Sequence, residues 1–149
     1  MTNTEAMAEH LVQTLNLPQS AAEWLMMLWN AIQLFDDVAD EDPIERQDLD
    51  AVIWNTLIAM PQNSFFAAHS GTMLPIVSSM ILKWQASDRT EREGNADEKS
   101  YMWRAGYYDV VLIVAQLCHG VKWAMDNAHV VMHMYGETYA EYKKEFNNA

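Results

Sequence analysis

The sequence predicts an all-α fold, a single-domain bundle of about six helices within 149 residues. Three observations predict it. Apolar residues recur at helical spacing along most of the chain. Helix start and stop signals punctuate it about one helix length apart. No strand-turn-strand alternation and no internal repeat appears, although Asp109 to Ala115 is rich in Val and Ile.

The first helix is expected from about Thr4 to Leu15, with Asn16-Leu17-Pro18 as its stop. Ser20-Ala21-Ala22-Glu23 reads as a capping box, in which hydroxyl and carboxylate satisfy free backbone N–H groups. It opens a second helix from Ala21 to about Asp40, with Trp24, Leu25, Leu28, Ile32 and Phe35 at helical spacing. Asp42-Pro43-Ile44-Glu45 resembles a helix entry with Pro in the first turn. A third helix is expected from about Asp48 to Met60, with Leu49, Val52, Ile53, Leu57 and Met60 as its apolar face. Pro61-Gln62-Asn63 is a turn, and a short helix from Ser64 to His69 follows. Ser70-Gly71-Thr72 opens a long helix to about Arg92 that tolerates Pro75 near its first turn. After Gly94-Asn95, one long helix is expected from Asp97 to His119, stopped by Gly120. A helix around Trp123 to Tyr135 and a charged segment from Thr138 to Phe146 complete the chain.

Composition narrows the function classes. Net charge is −12, which excludes the basic footprint of a nucleic-acid binder. No apolar run reaches the roughly 18 residues that span a bilayer, so no membrane association is expected. Met1 to Glu5 has no basic segment or apolar signal core, which points to an intracellular protein. Cys118 is the only cysteine, so neither an internal disulfide nor a cysteine-based zinc site can form. Eleven Met and six Trp are a large share for this length. They fill irregular cores and also make adaptable or anchoring contact surfaces.

The densest chemistry is Asp36-Asp37-Val38-Ala39-Asp40-Glu41-Asp42. Eight acidic residues fall between Asp36 and Asp50 against a single Arg46. Asp36, Asp37 and Asp40 lie within one helical turn, at a C-terminus whose dipole favours a cation. That is a physical reason to expect Mg²⁺, which prefers oxygen ligands and shares its shell with phosphates. The other reading is a solvated acidic surface. Asn30, Gln33, Asp37 and Asp40 form one polar stripe on the same helix, facing solvent or lining a pocket.

Asp109 is the second candidate, an ionisable group inside the apolar stretch Trp103 to Ala115. It needs a cation, a metal or several donors. Either it completes a metal site with Asp36, Asp37 and Asp40, or it pairs with Lys83 or Arg104. In the metal reading Lys83 and Arg104 would neutralise phosphate. The helices carrying Asp36 and Asp109 are both long and apolar, so they are expected to pack together. Gln116 and His119 share a face with Asp109. His129 and His133 have the spacing that can chelate a metal, but no HExxH surrounds them; surface histidines are the plainer reading. Glu137 could cap, ligate or be solvated. No serine nucleophile elbow, phosphate-binding glycine loop or dinucleotide fingerprint is present.

Asp36-Asp37-Val38-Ala39-Asp40 resembles the first aspartate-rich motif of isoprenoid synthases, an all-helical family in which it binds Mg²⁺ and a substrate diphosphate. The family's second metal motif has no counterpart, because Asp126-Asn127 lacks the following Ser/Thr and Glu. Trp29-Asn30, Phe35 to Asp40, Tyr101 to Asp109, and Met134-Tyr135-Gly136-Glu137-Thr138 together resemble small uncharacterised helical proteins of tailed bacteriophages. That resemblance implies a phage protein acting in the cytoplasm of an infected bacterium, without an implied activity.

Two functions are therefore expected. The first is a non-enzymatic protein that binds a host or phage protein, its acidic edge steering a basic partner; a homo-oligomer is compatible with it. The alternative is a Mg²⁺-dependent phosphate- or diphosphate-binding protein or phosphohydrolase.

Overall fold

The computed structural model describes residues 1–147. The chain is all-α as expected, 82% helical, with no strand among the described residues. It divides into two compact units, one from Met1 to Ser70 and one from Gly71 onward. Charge is distributed unequally. The first unit holds eleven acidic residues against one basic residue, Arg46, whereas the second holds ten against eight.

In the first unit, α1 (Asn3–Glu9) starts at a capping box made by Thr2 and Glu5 and runs into a π turn, His10–Thr14. Asn16, at a φ of 48°, ends it. The helix α2 (Gln19–Ala39) begins one residue before the expected capping box, with Pro18 as its N-cap. Ser20 therefore does not cap. Its carbonyl accepts from Asn63 Nδ2 at 2.9 Å, and Glu23 accepts from Gln19 Nε2 at 2.7 Å. The core is Leu11, Leu15, Leu17, Trp24, Leu25 and Leu28, with Trp24 stacked on Phe66 at 5.4 Å.

The third helical stretch comprises α3 (Arg46–Trp54), a π turn (Asn55–Ala59) and the short α4 (Met60–Gln62). It starts two residues before the expected Asp48, and Pro43 lies in the connection rather than in its first turn. Leu49 and Val52 pack with Ala31 and Leu34 of α2. Thr56 and Met60 continue the inner face after Val52, while Ile53 and Leu57 point outward, contrary to the simple periodicity. Phe35 is likewise exposed, because Ala31 and Leu34 occupy the inner face of α2.

The stretch α5 (Ser64–Arg92) leaves helical geometry at His69 (φ −128°, ψ 15°), so a short helix precedes a long one, as the sequence predicts. It is long and apolar enough to cross a bilayer by length and composition, though Met73, Met80 and Ser87 are buried at seven-residue spacing.

In the second unit, Gly94 at a φ of 77° turns the chain. The expected helix from Asp97 to His119 is broken into α6 (Glu98–Trp103) and α7 (Gly106–His119). Asp97 and Ser100 cap α6 reciprocally. The break brings Gly106 against α5: a Cβ there would meet Met80 Cα at 3.1 Å. Gly120, at a φ of 94°, separates α7 from α8 (Val121–Met132), and α9 (Tyr139–Asn147) forms from the charged segment. The two helices α7 and α8 pack side by side, and α9 packs on α6.

Candidate functional site

Asp36 and Asp37 occupy the last turn of α2, and Asp40 is its C-cap. Asp36 and Asp37 are half-buried and Asp40 is exposed. The backbone wraps tightly here: Asp40 N–H donates to Asp36 O and Asp42 N–H to Asp37 O, at 3.0 and 2.8 Å. Asn30 and Gln33 are exposed, so most of the polar stripe faces outward. Asp109 belongs to the other unit, where Lys83 Nζ donates to its Oδ2 at 2.7 Å. Both partners are more than a third exposed, so this ion pair contributes little, about 0–1 kcal/mol. Among the described residues, no group of three or more His, Cys, Asp or Glu is gathered to hold a metal ion.

Of the candidate phosphate ligands, Lys83 thus faces Asp109 and also borders a depression of about 380 Å³ formed by Pro75, Leu82 and Trp103. Arg104 lies between Glu91 Oε2 at 3.7 Å and Glu137 Oε1 at 3.4 Å, with its guanidinium over the Tyr142 ring at 5.2 Å. His129 and His133 are exposed, and His133 Nδ1 lies 2.8 Å from the His129 carbonyl, so this ring nitrogen is engaged with backbone.

Arg104 belongs to a buried polar network that sequence reasoning missed. Tyr142 OH donates to Glu91 Oε2 at 2.8 Å and lies 2.6 Å from Ser100 Oγ. Ser87 Oγ lies 2.7 Å from the Ser100 carbonyl and 3.1 Å from Glu91 Oε2. Each hydroxyl has one proton, which orders the chain: Ser100 donates to Tyr142, and Tyr142 to Glu91. On the other side of Arg104, Tyr135 OH is within reach of Glu137 Oε1 at 3.2 Å and the Tyr101 carbonyl at 3.1 Å, and Tyr101 OH donates to the Glu137 carbonyl. Burial raises the carboxyls of Glu91 and Glu137 above the ordinary range, while Arg104 pulls both back down. Burial also pushes Tyr142 up to about 12. Ser87, Ser100 and Tyr142 are fully enclosed, and their hydrogen bonds fasten α9 to α5 and α6.

The first unit carries an exposed apolar ridge. Ile53, Trp54, Leu57 and Ile58 stand on the outer side of α3 and its π turn, with Trp54 62% and Leu57 70% exposed. Arg46 and Asp50 pair at 3.3 Å on the preceding turn. Comparison of the chain with protein-family models, curated proteins and solved structures finds no match to any of the three.

Proposed function

We propose that this is a small acidic phage-type protein that binds a host or phage protein partner and performs no catalysis. One observation carries the reading: a Trp- and Leu-bearing ridge is exposed on the unit that holds eleven acids against one base. Exposed Trp beside aliphatic side chains is the composition of binding anchors, which need a partner to remove them from water. A field of one sign steers a partner of the other sign, so the partner's contact face is basic. The enclosed network around Glu91 supports the reading too, since its nucleophilic and acidic groups are spent on one another.

The test is capture from infected-cell lysate. A partner retained at one-to-one stoichiometry, with chelator present and by Asp36→Asn/Asp40→Asn, but lost by Trp54→Ser/Leu57→Ser, supports the proposal. Capture that depends on the aspartates and a divalent cation, or is indifferent to Trp54 and Leu57, contradicts it.

The second reading is a Mg²⁺-dependent phosphate- or diphosphate-binding protein or phosphohydrolase, with Asp36, Asp37 and Asp40 toward the metal. It is favoured by the position of three aspartates at the C-terminal end of α2, where the helix dipole favours a cation. Calorimetry with Mg²⁺ and Mn²⁺ tests it. Heat above buffer in the wild type, abolished by Asp36→Asn/Asp40→Asn, would support it.

A further inference from the structure

A second feature of the first unit has the form of a receptor for a helix. An open groove of about 910 Å³ runs between α1, the start of α2 and the Ala59–Ser64 segment. Val12, Met26 and Met27 supply its apolar surface, and Ala8, Ala22 and Ala59 keep its walls low. Val12 is half exposed, and both methionines are only partly covered. Glu23 is the only ionisable group in the lining, and no cation stands there.

We propose that this groove takes a basic amphipathic helix of a partner protein. The inference rests on the partner-binding reading and names the partner's chemistry. An apolar trough flanked by helices is the receptor for the apolar face of an amphipathic helix. Methionine side chains are unbranched and polarizable, so they adapt to whatever row of side chains enters. The charge of the helix follows from the unit itself. Its only basic residue, Arg46, already pairs with Asp50, leaving a strongly negative surround. A helix with Lys or Arg on its outer face is drawn in. An acidic helix, a nucleic-acid strand and an anionic membrane are repelled. A second copy of this acidic unit is disfavoured for the same reason.

The test uses the full chain and a labelled Leu/Lys amphipathic peptide of about 18 residues, with a Leu/Glu peptide of the same pattern as its counterpart. Fluorescence anisotropy gives affinity, and the methyl signals of Met26 and Met27 give location. The Leu/Lys peptide is expected to bind, to move both methyl signals, and to weaken as salt rises from ~50 to ~200 mM. Met26→Gln/Met27→Gln is expected to weaken binding roughly ten-fold or more, and the wild-type methyl shifts stand even if that variant folds poorly. Equal binding of the Leu/Glu peptide overturns the charge argument. A dimer in sedimentation that Met26→Gln/Met27→Gln abolishes makes a second copy the occupant and overturns the proposal. Binding that leaves both methyl signals unmoved, or no binding, overturns the groove alone. Capture through Trp54 and Leu57 would then still stand, so the two failures are distinguishable.

Discussion

Tyr142→Phe isolates the link that fastens the last helix. Phe keeps the ring under Arg104 and against Tyr101, so packing is preserved. What is lost is a fully enclosed hydroxyl standing 2.8 Å from Glu91 and 2.6 Å from Ser100. A hydrogen bond to a charged acceptor is worth about 1.5–3 kcal/mol. Ser100 can turn its proton to the Asp97 carbonyl at 3.0 Å, and Ser87 can turn its own from the Ser100 carbonyl to Glu91 at 3.1 Å, which offsets part of the loss. The expected cost is about 2 kcal/mol. Urea unfolding followed by far-UV circular dichroism measures it as a lower midpoint at unchanged slope. In a Glu91→Leu background the same substitution should cost at least about 1 kcal/mol less, because the pair is coupled. Stability within about 0.5 kcal/mol of wild type, or an equal loss in both backgrounds, would refute the ordered chain from Ser100 through Tyr142 to Glu91.

Three further outcomes follow from the same geometry. Because burial raises Glu91 and Glu137, their contribution to stability is fully present below the ordinary 4.5 and lost as pH rises through the raised values; Glu91→Gln/Glu137→Gln should flatten that part of the stability–pH curve in urea titrations. Gly106→Ala should lower stability by about 1–3 kcal/mol in the same assay, since its Cβ meets the Met80 backbone at 3.1 Å, a wall that does not yield as a side-chain tip would. Trp54→Ser/Leu57→Ser should leave the melting temperature within about 1–2 °C of wild type, since both side chains are largely exposed and surface changes stay near ±0.5 kcal/mol.

Local signals in the chain were legible and long-range ones were not. Gly120, Gly94 and the break near His69 could be read because each depends on a few adjacent residues. Helical phase was less secure. Val52, Thr56 and Met60 form the inner face of the third stretch and leave Ile53 and Leu57 outside, and no residue at Asn55 to Ala59 announces the π turn after Trp54. Asp97 to His119 read as one helix because Arg104 and Ala105 are good helix formers; the close approach of Gly106 to Met80 lies outside any local pattern. The network of Glu91, Ser100, Arg104 and Tyr142 joins positions up to 51 residues apart, which no periodicity relates. One sign was available: Ser87 continues the buried series Met73, Met80, so a polar group on that face needed a partner. At the candidate site the pairing of Asp109 with Lys83 was foreseen as one of two readings, whereas the groove beside Met26 and Met27 depends on how three segments meet.

We propose that this chain works by holding another protein through its acidic first unit. Isothermal titration of the captured partner into the purified chain, with EDTA throughout, tests it most directly. The expected result is one-to-one binding that weakens with salt, persists in Asp36→Asn/Asp40→Asn, and falls by roughly ten-fold or more in Trp54→Ser/Leu57→Ser. Binding that requires added Mg²⁺ and the aspartates, and is indifferent to Trp54 and Leu57, would contradict it.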